Sequence, residues 1–210
     1  VDYLKGGRGF SITRMQLDYI TNPLNSIYTK ISAGLFEEMF GGIGTEVLYR
    51  PFRSDLAIGV EAYYAKQRDF QQMFKFKKYD VATGHLNLFY HHPPSKVLTT
   101  IRGGRFLAKD SGVTIDFSRR FKSGLYMGAF FTLTDISKEE FGEGSFDKGF
   151  YFSIPTKLFY SDFRSGVISF GLHPLTKDGG AMLSQQNQLF ALFGETNTNS
   201  IIRDWDYLMK

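Results

Sequence analysis

The chain contains no cysteine, a single tryptophan and no run of about 18 uncharged apolar residues. A chain without cysteine forms no disulfide bond and offers no catalytic thiol or thiolate metal ligand. A chain without a long apolar run has no transmembrane helix. The 25 Lys and Arg residues are interspersed with 21 Asp and Glu residues, so no basic block predicts a nucleic-acid partner. These absences direct attention to β-structure, in water or in a membrane.

Alternation of apolar and polar residues is the main signal in the sequence. In the region 112–155, Val113, Ile115 and Phe117 alternate with polar residues, and the same period continues from Leu125 to Leu133. Period-two alternation over about eight to ten residues predicts a β-strand with one apolar face. Ten such strands are predicted, at 10–20, 27–36, 41–50, 56–66, 80–90, 97–106, 113–121, 125–134, 150–154 and 164–172. A weaker eleventh is predicted at Gln188–Phe193 and a strand end at Val1–Lys5.

Two architectures fit these strands, a transmembrane β-barrel and a soluble β-sandwich that binds glycans. Strands of up to about eleven residues are long for soluble sheets, whose strands are usually about five or six residues. Tyr19, Tyr49, Tyr64 and Tyr90 stand near the ends of apolar faces, and short and long connections tend to alternate, as in outer-membrane barrels. We therefore predict an all-β fold, an antiparallel transmembrane β-barrel of about 10–12 strands over residues 1–196, followed by a polar tail at 197–210.

The polar faces of the strands would line the lumen of such a barrel. The predicted lumen-facing residues carry charges of both signs, and they are Arg14, Asp18, Lys30, Glu46, Arg50, Glu61, His85, Arg102, Asp116 and Arg120. A barrel of this size encloses a lumen that side chains can largely fill. Two interpretations stay open: a plug held by salt bridges, or a lining that guides a polar substrate.

The sequence predicts no enzymatic activity, no cofactor and no metal site. His91 and His92 lie in a turn with two prolines, without a third ligand at metal spacing. The G-x-S-x-G motif of serine hydrolases is absent. The alternative is a barrel enzyme that acts on lipid or glycan, with His85, Asp116 and a nearby serine as its candidates.

Six stretches between residues 41 and 183 are distinctive. They are GTEVLYRPF (44–52), AKQRDF (65–70), YDVATGH (79–85), GRFLAKDSGVTIDFSRRFKSG (104–124), TLTDISKEEFGEGSFDKGFYFSIP (132–155) and PLTKDGGAML (174–183). In this order they resemble the C-terminal part of the YjbH/GfcD family of exopolysaccharide- and capsule-associated outer-membrane proteins. The resemblance implies a longer parent chain, and the absence of a signal peptide and an initiator Met agrees with that expectation.

The resemblance also implies a location and a role. The location is the outer membrane of a Gram-negative bacterium. The role is secretion or assembly of an extracellular polysaccharide, as a conduit or docking component without enzymatic activity. The implied partners are outer-membrane lipid and lipopolysaccharide, the polysaccharide, other proteins of exopolysaccharide operons and an upstream barrel of the same chain. The charged loop after the hairpin is predicted to close the lumen or to contact a partner, through Glu139, Glu140, Phe141, Glu143, Phe146, Asp147 and Lys148.

Overall fold

A computed structural model describes residue 3 and residues 10–136, 146–159, 166–172, 179–198, 200–202 and 205. The alternating segments form ten β-strands in chain order. They are β1 (Met15–Leu24), β2 (Ile27–Leu35), β3 (Phe40–Tyr49), β4 (Leu56–Arg68), β5 (Phe76–His92), β6 (Val97–Arg105), β7 (Ser111–Arg120), β8 (Tyr126–Thr134), β9 (Asp147–Pro155) and β10 (Val167–Leu172). A 3-10 turn at Thr156–Leu158 follows β9, and a short helix, α1 (Leu189–Phe193), follows β10.

The ten strands lie in one antiparallel sheet, in sequence order from β1 to β10. Such an order arises when each strand pairs with the strand that precedes it, the commonest connection in proteins. The predicted all-β, antiparallel fold class is therefore confirmed. Over the residues that the structure describes, the sheet is open, with β1 and β10 at its two edges.

The sheet is strongly curved. Gly180 lies against Thr132 of β8, where an added Cβ would be 2.9 Å from the threonine Cγ2. Six residues later, the backbone N–H of Gln186 donates to Oε1 of Gln16 in β1 at 3.2 Å. Six residue steps reach at most about 22 Å, whereas eight strands side by side in a flat sheet would cover about 34 Å. The strands therefore curl around residues 179–197.

The two faces of the curved sheet differ in polarity. On the inner face of β4, Ala57 and Tyr63 are buried, while Ile58, Val60 and Tyr64 on the outer face are exposed. The same alternation holds along β3 and β5. The buried apolar residues form two clusters between the sheet and residues 183–193, one around Phe36 and Tyr63 and the other around Leu48 and Phe89. Most side chains on the outer face are apolar, and among the described residues no other part of the chain packs against them.

Three aromatic rings of the inner face lie directly over glycines of the neighbouring strand. The ring of Tyr63 covers Gly44, its register partner, so closely that a Cβ there would overlap the ring. In the same way, Phe130 covers Gly149, and Tyr151 covers Gly128. Glycine is needed at these positions because the ring occupies the space of a side chain.

The predicted strand at Gln188–Phe193 is wrong, because this segment forms α1. Leu189, Phe190 and Phe193 face the sheet, whereas Ala191 and Leu192 are exposed. Buried residues at i, i+1 and i+4 are typical of one face of a helix. An alternating pattern in this stretch combines residues from opposite sides of the helix. The predicted strand end at Val1–Lys5 lies outside the described residues, apart from Tyr3.

The first hairpin also differs from the prediction. β1 begins at Met15 instead of Phe10, and it continues through Asn22 and Pro23 to Leu24. The Asn22 side chain donates to the carbonyls of Leu24 and Ile27, at 3.1 and 2.8 Å, and thereby holds an irregular strand end together. The two-residue turn follows at Asn25-Ser26. Asn-Pro marks the end of regular pairing here, but not the turn itself.

Candidate functional site on the inner face

Residues 179–197, which we call the inner segment, pass along the concave side of the sheet. The backbone N–H of Gly180 donates to Oδ2 of Asp110 at 2.8 Å, and the N–H of Leu107 donates to the carbonyl of Ala181 at 2.9 Å. Further along, α1 places Phe190 flat on Phe89, with ring centroids 3.6 Å apart. The inner segment is thus attached to the sheet at both ends and covers its polar face.

The ten residues predicted to face a lumen all lie on this concave side or at its ends. Eight of them contact the inner segment through hydrogen bonds or ion pairs: Arg14, Asp18, Lys30, Glu46, Arg50, Glu61, Arg102 and Arg120. The remaining two, His85 and Asp116, bind residues of the sheet itself. Eight of the ten residues therefore contact a single segment of the same chain, and whether they line a lumen stays a prediction.

The centre of this surface is the buried ion pair of Lys30 and Glu46. Register pairs these residues across β2 and β3, and Nζ of Lys30 lies 2.8 Å from Oε2 of Glu46. The lysine side chain is fully buried, and its Nζ also donates to Oε1 of Gln185 at 2.9 Å and to the carbonyl of Asn187 at 3.1 Å. Oε1 of Glu46 accepts the backbone N–H of Leu189 at 2.9 Å. The pair therefore fastens the inner segment to the sheet where α1 begins.

A second polar pair, Glu61 and His85, lies beside the first. Nδ1 of His85 is 3.0 Å from Oε1 of Glu61, its register partner on β4. The Gln185 amide joins the two pairs, because its Nε2 donates to Oε2 of Glu61 at 3.3 Å while its Oε1 accepts from Lys30. The hydroxyl of Tyr63 also donates to Oε1 of Gln185. One glutamine of the inner segment thus contacts β2 and β4 directly and connects two polar pairs from four strands.

The inner segment is also attached at Ser184, close to the residue pair Glu37 and Arg14. Oε2 of Glu37 accepts the backbone N–H of Ser184 at 3.1 Å, and Nη2 of Arg14 donates to the hydroxyl of Ser184 at 2.9 Å. Burial raises the pKa of the Glu37 carboxyl to about 7, and the hydrogen bond from Ser184 and the charge of Arg14 oppose this shift without overcoming it. Glu37 therefore changes its charge near neutral pH at a point where the inner segment is attached.

A cavity of about 950 Å³ remains between the inner segment and the strands β3–β9. Its wall carries polar side chains from successive strands, among them Asn87, Thr100, Arg102, Thr114 and Asp116. The hydroxyls of Thr114 and Thr132 share a hydrogen bond of 2.8 Å, and Tyr151 donates to both carboxylate oxygens of Asp116, at 3.1 and 2.9 Å. The inner segment therefore fills one side of the concave space and leaves a polar cavity on the other.

The geometry does not assemble the residues named for the enzyme alternative. His85 is bonded to Glu61, and Asp116 is bonded to Tyr151. Along the register, His85 is level with Gly112 of β7, four residues from Asp116, a separation of about 13 Å along the strand. In the described part of the chain, no group of three His, Asp or Glu side chains is placed to hold a metal ion.

The loop candidates divide into two groups. Glu139, Glu140, Phe141 and Glu143 lie outside the described residues. Asp147 and Lys148 belong to β9 and not to the loop, because Asp147 pairs with Thr132 and is buried on the inner face. Phe146 precedes the strand and lies 4.7 Å from Nζ of Lys148. The loop prediction therefore extended two residues too far.

Several residues of the site have no counterpart among the sequence predictions. Gln185, Asn187 and Ser184 lie in a stretch without hydrophobic periodicity, so alternation gave no reason to place them on the sheet. Glu37 lies between the predicted strands 27–36 and 41–50, so alternation assigns it to no face. The one signal that pointed to this region was its continuity with PLTKDGGAML, a stretch that is distinctive in sequence but carries no structural pattern.

These features define a class: a protein with a curved antiparallel sheet, ten-stranded over the described residues, whose polar inner face is contacted by the inner segment of the same chain. The comparisons with known proteins are specific. The YjbH family model, described as "Exopolysaccharide biosynthesis protein YbjH", matches residues 1–195. The chain is 41% identical over 194 residues to the "Uncharacterized lipoprotein YjbH" of Escherichia coli (strain K12), covering 90% of this chain. The chain belongs to the YjbH family.

The match covers 28% of the length of that E. coli relative. No solved structure matches the chain. Among the described residues, no α-helix is long and apolar enough to cross a lipid bilayer.

Proposed function

We propose that the chain is the membrane-embedded part of an outer-membrane protein that takes part in secretion or assembly of an extracellular polysaccharide. Its role is that of a conduit or docking component and not of a catalyst. The observation that carries the proposal is the outer face of the sheet, which is predominantly apolar. The chain belongs to a family whose description is exopolysaccharide biosynthesis, and this supports the polysaccharide role.

The outer face is too apolar and too continuous for a surface in water. Leu17 is 78% exposed, Ile43 62% and Leu86 59%, and neighbouring strands carry further exposed Ile, Val, Phe and Tyr side chains. Single exposed apolar residues are ordinary, but contiguous patches of more than a few hundred square ångströms mark contact with a membrane or a partner. A band that runs across the whole sheet fits the hydrocarbon of a lipid bilayer.

The height of this band agrees with a bilayer. On β4 the outer apolar residues run from Leu56 to Tyr64, a distance of about 26 Å along the strand. Strands that cross a bilayer are tilted by about 45° and have about 9–11 residues, or about 30–36 Å along the strand including its ends, so this run covers most of such a crossing. Tyr90 is the register partner of Leu56 at one end of the band, and Tyr64 stands at the other, both about half exposed. Tyrosines at both ends of an apolar band resemble the aromatic girdles of such barrels.

A membrane location requires that the free edges of β1 and β10 find partners. Unpaired backbone groups in hydrocarbon cost several kcal/mol each, so sheets in bilayers close into barrels. The E. coli relative is longer than this chain, with 28% of its length matched, and a parent chain of similar length would have residues from which further strands can come. We propose that such strands, or direct pairing of β1 with β10, close the barrel.

The inner segment argues for a docking or gated component instead of an open pore. It is anchored by the buried Lys30–Glu46 pair and by the stacking of Phe190 on Phe89. These contacts leave the 950 Å³ cavity as the free space on the inner face. Conductance of the purified protein in planar bilayers tests this point: a closed state is expected, and a large steady conductance would contradict it.

The membrane proposal is tested with two lysine substitutions at sites of equal exposure. Val60 on the outer face of β4 and Phe52 in the turn before β4 are both 50% exposed. In a bilayer, Val60→Lys should reduce the free energy of insertion into lipid vesicles by about 2–4 kcal/mol, and Phe52→Lys by much less. In water both changes are near neutral. Equal behaviour of the two variants, together with partition of the protein into the aqueous phase, would favour the soluble glycan-binding alternative.

The absence of a catalytic role is tested in the cell. His85→Ala should leave secretion of the extracellular polysaccharide unchanged at normal protein levels, provided that its partner Glu61 is changed to Gln in the same variant to avoid a buried lone charge. Loss of secretion with normal protein levels would favour the enzyme alternative. Deletion of the whole gene should reduce the secreted polysaccharide, and a normal amount would contradict the proposed role.

A further inference from the structure

The polar cavity beside the inner segment has a regular construction. One cross-strand row of the inner face reads Asn87, Arg102, Thr114, Thr132, each the register partner of the next. Asp116 lies one row further along and Tyr151 two rows further along, and both face the same space. Each side chain comes from a rigid strand, so the hydrogen-bonding groups are fixed relative to one another. The wall is therefore an ordered array of amide, guanidinium, hydroxyl and carboxylate groups.

Part of this array has unused hydrogen-bonding capacity. Asn87 is 5% exposed, and its Oδ1 accepts no hydrogen bond within the described part of the chain. The guanidinium of Arg102 has five N–H donors, and its contact with the inner segment is to the weak acceptor Sδ of Met182 at 3.9 Å. A buried acceptor without a donor is destabilising. A buried acceptor without a donor, directly beside a guanidinium with several N–H donors, is therefore suited to a ligand that both donates and accepts.

The charge balance of the cavity decides between kinds of ligand. Asp116 lies diagonal to Arg102 on the next strand and interacts with its charge. Arg120 is paired with Glu195 at 2.8 Å. The residues that line the cavity include six Asp or Glu and four Lys or Arg side chains, so the wall has no positive field that would select a phosphate or a polyanion. The amide, guanidinium and hydroxyl groups of the wall can instead bind a neutral ligand that has many hydroxyls. The rings of Tyr126 and Tyr151 are tilted to each other with centroids 5.8 Å apart, and the apolar face of an aromatic ring can pack on a sugar ring.

We propose that this cavity is a binding site for a neutral saccharide segment. Arg102 and Asn87 bind its hydroxyls from one row, and Thr114, Thr132 and Asp116 bind from the adjacent strands. A volume of about 950 Å³ lies at the upper end of the range for ligand sites, about 300–1,000 Å³, and accommodates a short oligosaccharide. The cavity opens on the inner face, away from the apolar outer face, so its ligand is a soluble glycan and not a lipid headgroup. The inference rests on the proposed function, since it names the ligand of the same protein.

The test is binding of neutral trisaccharides to the purified protein in detergent. The probes are trisaccharides of glucose, galactose and N-acetylglucosamine, followed by saturation-transfer NMR and calorimetry at millimolar concentration. At least one should bind, and Arg102→Gln should weaken its binding at least tenfold. Arg105→Gln is the matched control on the same strand, because its side chain is exposed and does not line the cavity; its binding should be unchanged.

A second pair of variants tests the site independently, in case Arg102→Gln fails to fold. Thr100→Val removes one hydroxyl from the cavity wall. Thr99→Val removes one hydroxyl from the opposite face of β6, outside the cavity. The first should weaken binding severalfold and the second should not. Binding of none of the three trisaccharides, or equal effects of cavity and control variants, would overturn the inference. A protein that inserts into vesicles but binds no trisaccharide overturns the saccharide site alone, whereas failure of insertion overturns the membrane proposal.

Discussion

The buried pair of Lys30 and Glu46 allows a quantitative prediction. Lys30→Met removes the cation and leaves the 5%-exposed carboxylate of Glu46 without its partner. Breaking a buried ion pair from one side costs about 3–5 kcal/mol, since the remaining charge keeps its desolvation penalty. The lost hydrogen bonds to Gln185 and Asn187 belong to the same cost. We therefore expect a loss of about 4 kcal/mol in the free energy of unfolding.

Two companion variants separate burial from charge. Arg120 and Glu195 form an ion pair of the same length, 2.8 Å, with side chains that are 46% and 51% exposed. Arg120→Met should cost no more than about 1 kcal/mol, because exposed pairs contribute about 0–1 kcal/mol. The double variant Lys30→Met/Glu46→Gln keeps an acceptor for the N–H of Leu189 and removes the lone charge. It should regain at least about 2 kcal/mol of the loss.

The assay is equilibrium unfolding by denaturant in detergent micelles, combined with hydrogen exchange. The amide of Leu189, which donates to Glu46 at 2.9 Å, should exchange faster in Lys30→Met than in the parent protein, because local opening of the inner segment becomes easier. Equal costs for Lys30→Met and Arg120→Met would refute the reasoning. So would a double variant that is no more stable than the single one.

Three further predictions concern the attachment and the shape of the inner face. Because burial raises the pKa of Glu37 from 4.5 to about 7, its ionisation opposes folding: the parent protein should lose up to about 3 kcal/mol relative to Glu37→Gln as the pH rises from about 4.5 to 7, with no further change above. Gly44→Ala should destabilise by about 1–3 kcal/mol because a methyl group overlaps a buried tyrosine ring, while Gly59→Ala, with its nearest neighbour at 3.4 Å, should be tolerated. Phe190→Ala should cost about 3 kcal/mol through loss of its stacked contact, and Leu192→Ala, on the exposed side of the helix, less than about 1 kcal/mol.

Each of these predictions has a contrary outcome. Stability profiles of the parent protein and Glu37→Gln that run parallel between pH 4.5 and 7 would mean that the carboxyl is not desolvated by the inner segment. Equal costs of the two glycine substitutions would mean that the tyrosine ring does not lie over Gly44. If Phe190→Ala and Leu192→Ala were equally mild, α1 would not be packed against the sheet. Denaturant unfolding measures all three.

Strand positions and faces were predictable because alternation reports burial directly. The segments 27–36 and 56–66 correspond closely to β2 and β4. In these strands, side chains on the inner face are mostly buried and those on the outer face are mostly exposed. The ends were less accurate. β5 extends four residues earlier than predicted, to Phe76, because pairing with Arg68 continues beyond a register shift that no local pattern reveals.

The inner segment was not predictable in the same way. Gln185 and Asn187 are polar residues in a stretch without periodicity, and their importance depends on Lys30 and Asp18, more than 150 residues earlier. Alternation describes how one strand meets its neighbours, and it carries no information about a distant segment that lies across several strands. Helix α1 was missed because a five-residue helix with three apolar contacts has the same composition as a short strand.

The aromatic rings over glycines also act on strand pairing. Between β8 and β9 two such contacts point in opposite directions, Phe130 over Gly149 and Tyr151 over Gly128. A slip of two residues would keep every side chain on its own face, so the polarity of the faces does not oppose it. In one direction the slip places Phe130 opposite Tyr151, and in the other it places Tyr126 opposite Tyr151 with the two glycines facing each other. Both arrangements crowd two rings into one site, so the reciprocal contacts lock the register that the hydrophobic pattern leaves ambiguous.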